Sequence, residues 1–106
     1  MKIESGIAVV AILAAATMTS AFAQGPGTET YKAKCQSCHG AEGVPNPGIA
    51  KLMGVKPATD PSLKAHSEAE MIAITTNGKA KMPAFKGKLS DAQIKASVEY
   101  FRTFVK

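Results

Sequence analysis

The stretch KCQSCHG, residues 34–40, contains both cysteines of the chain and one of its two histidines. Cys38 follows Cys35 by three residues and His39 follows it by four, so one helical turn would place all three side chains on the same face. Two thiols beside an imidazole can form a disulfide, bind a metal ion or hold a larger group. The remainder of the sequence has to distinguish between these possibilities.

Four structures are possible for this cluster of two cysteines and a histidine, and the sequence disfavours three of them. A thioredoxin-like redox pair requires a βαβ setting, which the sequence pattern lacks. A disulfide leaves His39 without a role. A zinc site requires about four ligands, and only His66 remains as a further nitrogen or sulfur donor. The pattern C-x-x-C-H is the signature of covalent haem attachment. We therefore predict one covalently bound haem c per chain, anchored by Cys35 and Cys38, with His39 as an axial ligand of the iron.

The first 23 residues have the features of a signal peptide. Lys2 supplies a positive start, residues 6–16 are apolar, and Ala21-Phe22-Ala23 fits the small-x-small rule for cleavage before Gln24. The alternative is an uncleaved membrane anchor, but the apolar run is shorter than the ~20 residues that a spanning helix needs. We predict export to the periplasm, cleavage after Ala23, no stable membrane insertion afterwards, and a single domain at residues 24–106.

The composition of this domain indicates a thin core. The chain has no tryptophan, and 6% of its residues are aromatic. A small domain with so little apolar area usually needs a disulfide, a metal or a cofactor for stability. The formal net charge of +5 favours attraction to acidic surfaces. Because no aromatic interleaving or nucleic-acid motif accompanies the basic residues, we expect no binding to nucleic acid.

Local signals predict an all-α domain with three main helices, a short helix and long loops. The first main helix is expected to have Thr28 as its N-cap and Glu29 in its first turn, and to continue through Cys38. Residues 49–53 are long enough for one or two helical turns. Glycines and prolines mark three stretches as loop or irregular backbone: 40–48, 55–66 and 79–88.

Capping boxes open the other two main helices. They pair Ser67 with Glu70 and Ser90 with Gln93. The first of these helices is expected to end at Asn77-Gly78, since both residues tolerate a left-handed backbone. Apolar residues recur at helical spacing along the last helix, at Ile94, Val98, Phe101 and Val105. Long loops in so small a domain usually surround a ligand or cofactor.

A haem iron needs a second axial ligand or has an open position. The candidates are Met53, Met71, Met82 and His66. Met71 lies among apolar residues of a helix and is most simply a core residue, Met53 is expected to line the pocket floor, and His66 is expected to be solvated. Met82 lies in a loop and precedes Pro83, which restricts the backbone and removes a competing N–H. We therefore predict Met82 as the second ligand.

With these residues assigned, the chain resembles the small class I c-type cytochromes of bacteria over nearly the whole of residues 24–106. Tyr31, four residues before the first cysteine, matches the aromatic of that family's first helix. Gly27 matches its glycine at the crossing of the first and last helices, and Tyr100 matches the aromatic that packs there. KMPAF at 81–85 is similar to the loop of the distal ligand, and residues 40–61 are similar to the proximal loop.

The resemblance implies a cytochrome c fold around one haem. It also implies a proline carbonyl bonded to the second nitrogen of His39, for which loop position favours Pro47, with Pro45 next. Two features depart from the family. Ser97 occupies a place that is usually a large aliphatic residue, and without tryptophan the partner of the haem propionates is unassigned.

Iron held by His39 and Met82 has both axial positions filled, so the expected function is outer-sphere transfer of one electron by a carrier that is not an enzyme. The thioether is a soft ligand that favours Fe(II) and raises the reduction potential. The alternatives are a haem sensor or peroxidase-like enzyme with an open sixth position, a cytochrome subunit of a larger oxidoreductase, and a haem-free module with a Cys35–Cys38 disulfide.

Four lysines flank the predicted distal ligand: Lys79, Lys81, Lys86 and Lys88. They could simply keep a loop solvated. Our interpretation is a positive rim that guides docking onto acidic redox partners. The protein is expected to act as a monomer.

Overall fold

The computed structural model describes residues 25–106, which form six helices. In chain order these are α1 (Pro26–Lys34), α2 (Gln36–His39), α3 (Pro47–Met53), α4 (Pro61–Lys64), α5 (Glu68–Asn77) and α6 (Asp91–Arg102). This part of the chain contains no strand, only two isolated bridges, and none of its helices has the length and apolar character needed to cross a bilayer. The all-α prediction is therefore confirmed. The predicted signal peptide, residues 1–23, lies outside the described residues.

The first helix differs from its prediction at its start. It begins at Pro26 with Gly25 as N-cap, so the prediction that Thr28 caps it is wrong, and Thr28 is buried inside the helix. Proline is well suited to the first helical position, because its fixed φ is helical and the N–H that it lacks would have had no partner there. The helix is interrupted at Cys35, after which α2 continues to His39.

Proline also opens α3 and α4. The predicted short helix at residues 49–53 is confirmed as part of α3, which begins two residues earlier, whereas α4 lies in a stretch predicted as irregular backbone. Asn46 caps α3 by accepting a hydrogen bond from the Gly48 N–H at 2.9 Å. Asp60 caps α4 by accepting one from the Ser62 N–H, also at 2.9 Å. Asn and Asp are favoured at the N-cap and proline at the first helical position, so Asn46-Pro47 and Asp60-Pro61 start helices.

The two predicted capping boxes have different outcomes. At α6 the box is complete, with Gln93 N–H donating to Ser90 Oγ and Ser90 N–H donating to Gln93 Oε1, at 3.1 and 2.8 Å. At α5 only half of the box forms. Ser67 Oγ accepts from Glu70 N–H, but the Glu70 carboxylate bonds Nδ1 of His66 instead, at 3.0 Å.

The core lies where α6 packs against α1 and α5. Its buried apolar residues include Met71 of α5, Phe85 of the following loop, and Ile94 and Val98 of α6. The last-helix stripe is confirmed, since Phe101 and Val105 pack against this cluster. Ser97 is buried as well, and its hydroxyl donates to the Gln93 carbonyl at 2.6 Å.

The crossing of α1 and α6 depends on Gly27. A Cβ at this position would lie 2.9 Å from the carbonyl carbon of Ala96 and closer still to its oxygen. Such a contact is with backbone, so it cannot be relieved by rotating a side chain. Next to this contact the rings of Tyr31 and Tyr100 pack with their centroids 5.1 Å apart. Glycine therefore sets the distance between the two helices.

We expect Gly27→Ala to lower the free energy of unfolding by about 1–3 kcal/mol, because the added methyl group overpacks the crossing. The control is Gly48→Ala, since Gly48 is also the second residue of a helix that begins with proline, and its Cβ would meet only Asn46 Oδ1 at 3.3 Å. Urea unfolding of the haem-loaded proteins measures both. Equal effects of the two substitutions would contradict the role of the crossing.

Candidate functional site

The two cysteines lie at the junction of α1 and α2. Cys35 N–H donates to the Tyr31 carbonyl and His39 N–H donates to the Cys35 carbonyl, each at 2.9 Å, so helical hydrogen bonding continues across the junction. Both thiols are half-buried and free, and both line a large cavity. The Cys35–Cys38 disulfide of the haem-free alternative is therefore not formed.

The surroundings of the thiols do not fit a redox pair or a zinc site. Burial, and secondarily the neighbouring Cys38 thiol, raises the pKa of Cys35 to about 11. Reactive cysteines of redox pairs have a lowered pKa instead. Within residues 25–106 there is no group of three or more His, Cys, Asp or Glu side chains that could hold a metal ion.

The imidazole of His39 lies half-buried beside the ring of Phe101, with ring centroids 5.2 Å apart and an edge-on arrangement. Burial lowers its pKa, which favours the neutral, ligating form. Its Nδ1 is buried and has no hydrogen-bond partner among the described residues. A buried imidazole nitrogen that lacks a hydrogen-bond partner is costly, which leaves Nδ1 in need of one.

The proline predicted to bond His39 does not do so here. Pro47 lies exposed at the start of α3, whereas Pro45, the second choice, is buried. No carbonyl in residues 25–106 accepts a hydrogen bond from Nδ1 of His39, so the identity of this partner stays a prediction.

The loop after α5 is held in a fixed shape. Lys79 and Met82 exchange two backbone hydrogen bonds, at 3.1 and 3.0 Å, which close a tight turn. Within that turn Ala80 has a φ of 54°, the left-handed conformation that is unfavourable for residues other than glycine. Phe85 N–H donates to the Thr75 carbonyl at 3.0 Å and ties the loop back to α5. The sequence carried no signal for the strained backbone at Ala80.

Two adjoining cavities lie between the attachment turn and this loop, with volumes of about 460 and 170 Å³. The two cavities are adjacent and share six lining residues: Cys35, His39, Leu63, His66, Met82 and Phe101. The larger volume lies in the range of small-molecule and cofactor sites. Cys35, Cys38, His39 and Met82 are thus brought to one mainly apolar site, which fits a flat macrocycle with two covalent anchors and two axial ligands.

The other ligand candidates also lie near this site. Met53 lines the larger cavity and Met71 the smaller one, where Met71 is buried in the core as predicted. His66 is not simply solvated as expected, because it lines both cavities and is hydrogen-bonded to Glu70.

The charged residues that line the larger cavity differ from the predicted lysine rim. Lys79 and Lys81 are among them, but Lys86 and Lys88 are not, although both are exposed. Lys34 and Lys56 line the cavity as well, and no acidic side chain does. These two lysines are far from Met82 along the chain, so only the fold brings them together with Lys79 and Lys81 and no local pattern predicts them.

Tyr31 connects α1 to the turn that follows the attachment site. Its side chain is 1% exposed, and its hydroxyl donates to the Gly40 carbonyl at 2.6 Å. Burial raises the pKa of this phenol well above its usual range. The hydrogen bond fixes the chain immediately after His39, so it helps to orient the imidazole.

Comparison with known proteins gives consistent similarities. A family model described as cytochrome c oxidase, cbb3-type, subunit III matches residues 23–101. The chain is 36% identical over 77 residues to cytochrome c6 of Leptolyngbya boryana, which covers 70% of this chain and 84% of the relative. It is 38% identical over 74 residues to cytochrome c6 of Anabaena variabilis, which covers 70% and 83%. Among solved structures, the KustC0563 c-type cytochrome superposes with a TM-score of 0.67 and 30% identity, covering 76% of this chain and 98% of that one.

Tyr31→Phe tests the hydrogen bond from the Tyr31 hydroxyl to the Gly40 carbonyl, next to His39. We expect it to reduce the free energy of unfolding near neutral pH by about 1 kcal/mol, because the Gly40 carbonyl loses its donor. Since the Tyr31 pKa is raised in the folded state, the wild type should lose stability as pH rises above about 10, where only the unfolded phenol ionises. That part of the alkaline loss should be absent in the variant.

Urea unfolding at several pH values between neutral and strongly alkaline measures this effect. Tyr100→Phe is the control, because Tyr100 is half-buried and makes no side-chain hydrogen bond among those of residues 25–106. The same alkaline loss in Tyr31→Phe as in the wild type would contradict the buried-phenol explanation.

Proposed function

The chain belongs to the small class I c-type cytochromes, and from this premise we propose that it is a one-electron carrier whose haem c is held by Cys35, Cys38, His39 and Met82. The observation that carries the proposal is that these four residues all line the larger cavity. The members of the family carry a covalently bound haem c and are electron-transfer proteins rather than enzymes.

Cys35 and Cys38 would hold the haem covalently. Each thiol would add across one vinyl group, so that sulfur bonds one carbon and hydrogen goes to the other, with no net oxidation or reduction. Free, unbridged Cys35 and Cys38 on the cavity wall are available for this addition. Covalent anchoring also stabilises a domain whose own core is thin.

The axial ligands determine what the site does. His39 would contribute a half-buried imidazole whose lowered pKa favours the neutral form, and Met82 a half-buried thioether from the loop closed by its backbone bonds to Lys79. The haem, when bound, supplies a one-electron iron couple. If His39 and Met82 both held the iron, no coordination position would be left for oxygen or a substrate, which favours outer-sphere transfer over the sensor and peroxidase-like alternatives.

The apolar lining has a second effect. The smaller cavity is bordered mainly by core residues such as Met71, Ile74 and Val98. An environment of low polarity disfavours the extra positive charge of the ferric state and therefore raises the reduction potential. The thioether ligand acts in the same direction.

We further propose that the signal peptide directs export, that the mature protein acts as a monomer in the periplasm, and that its partners are acidic redox proteins. Four lysines that line the larger cavity support acidic partners: Lys34, Lys56, Lys79 and Lys81. They would place positive charge near the edge of the haem that approaches the surface. A form bound as a subunit of a larger oxidoreductase would use the same ligands.

Met82→Ala tests the axial assignment. We expect the variant to lose the weak long-wavelength band that methionine–iron ligation gives to the oxidised protein, because the thioether is removed. Absorption spectra of the oxidised, haem-loaded proteins measure it. Met53→Ala is the matched control, since Met53 also lines the larger cavity, and it should retain the band. A band that survives in Met82→Ala, or disappears in Met53→Ala, would exclude Met82.

Docking onto an acidic redox partner should slow as ionic strength rises, because salt screens the attraction between exposed charges. Stopped-flow measurement of the second-order rate constant at increasing salt concentration tests this. Lys79→Gln should lower the rate at low salt, whereas Lys95→Gln, in the exposed Lys95–Glu99 pair of α6, should have less effect. Rates independent of salt would contradict the lysine docking surface.

A further inference from the structure

The haem c of the proposed function carries two propionate carboxylates, which need partners. Carboxylates at a partly apolar site are costly when they are neither paired nor hydrogen-bonded. The chain has no tryptophan to donate a hydrogen bond to them. The charged or titratable side chains that line the larger cavity, apart from the two thiols, are Lys34, His39, Lys56, His66, Lys79 and Lys81. A charged partner for a propionate would come from this set.

The covalent attachment excludes Lys34. The two vinyl groups of a haem lie on one edge of the macrocycle and the two propionates on the opposite edge. Thioether bonds to Cys35 and Cys38 turn the vinyl edge toward the attachment turn, so the propionates point away from it. Lys34 immediately precedes Cys35 and lies at the vinyl edge.

Three other groups already have partners. The Lys81 ammonium donates to the Leu52 carbonyl at 2.6 Å. His66 is paired with Glu70 at 3.0 Å, so even a protonated imidazole brings no net positive charge to the cavity. The Ser62 hydroxyl, also on this wall, donates to Asp60 Oδ1 at 2.7 Å.

Lys79 is committed to the distal side. Its backbone N–H and carbonyl both bond Met82, at 3.1 and 3.0 Å, so its Cα lies beside the residue proposed to bind the iron on its axial face. Its side chain would therefore start near the iron-binding face of the macrocycle and not near the propionate edge.

Lys56 is neither bonded to another group, as Lys81 and His66 are, nor held next to Met82, as Lys79 is. It lies in the loop between α3 and α4, where Gly54, Val55 and Lys56 form one wall of the larger cavity. It forms no ion pair with any acidic residue of the described chain. Asp60, whose pKa it helps to lower, already accepts two hydrogen bonds from Ser62.

We propose that Lys56 is the charge partner of a haem propionate. The inference rests on the proposed function, since it requires a haem anchored at Cys35 and Cys38. A charge-assisted hydrogen bond from the ammonium keeps the propionate ionised at neutral pH. Because an ionised propionate favours the ferric state, the potential falls with pH only across the range in which the propionate loses its proton. Lys56 moves that range to low pH.

The test is the midpoint potential of the haem-loaded protein as a function of pH, measured by spectroelectrochemistry. In Lys56→Gln the pH-dependent part of the curve should move to higher pH by about one unit, a roughly tenfold higher proton affinity of the propionate. Lys56→Arg should restore the wild-type curve. Lys34→Gln removes the same charge at the opposite edge, so it should lower the whole curve without displacing it along the pH axis.

The outcomes separate this inference from the proposed function. A displaced curve in Lys56→Gln alone supports Lys56 as the partner. Two results would overturn the inference while the haem spectrum and the carrier function stand. In the first, the curve of midpoint potential against pH is displaced in Lys79→Gln instead of Lys56→Gln. In the second, the curve of Lys56→Gln matches that of Lys34→Gln. Absence of covalent haem from the wild type overturns the proposed function and the Lys56 assignment with it.

Discussion

The close crossing of α1 and α6 is the constraint on which the rest of the molecule depends. Gly27 lies against the Ala96 backbone, and the absence of a side chain there lets Tyr31 reach the aromatic residues of α6. From this fixed position Tyr31 bonds the Gly40 carbonyl and holds the chain just after His39. One helix–helix distance therefore determines where the thiols and the imidazole lie, and it does so from outside the site.

The opposite side of the site is fixed independently. The turn at Met82 is closed by its own backbone hydrogen bonds and tied to α5 through Phe85, which is buried in the core. The core is thus shared between the two sides, since α6 packs against both α1 and α5. Electron transfer would benefit from this arrangement, because ligands that do not move between the two oxidation states of the iron need little reorganisation. The packing of α6 against α1 and α5 helps to hold both sides of the site in place.

Local patterns predicted the features that depend on neighbouring residues. The spacing of Cys35, Cys38 and His39, the Ser90 cap and the apolar stripe of α6 are all set within one or two helical turns, so the sequence alone was sufficient for them. The loops were harder. Pro47 and Pro61 open helices because capping residues precede them. The set of lysines around the cavity depends on contacts between distant segments that no local pattern records.

The central claim is that His39 and Met82 fill both axial positions of the haem iron. Exposure of the reduced, haem-loaded wild-type protein to carbon monoxide tests it most directly, because carbon monoxide binds only where an axial position is open or weakly held. If His39 and Met82 hold the iron, carbon monoxide should leave the absorption spectrum of the reduced protein unchanged. Prompt formation of a carbon monoxide complex at neutral pH would contradict it and would indicate an open-site haem protein.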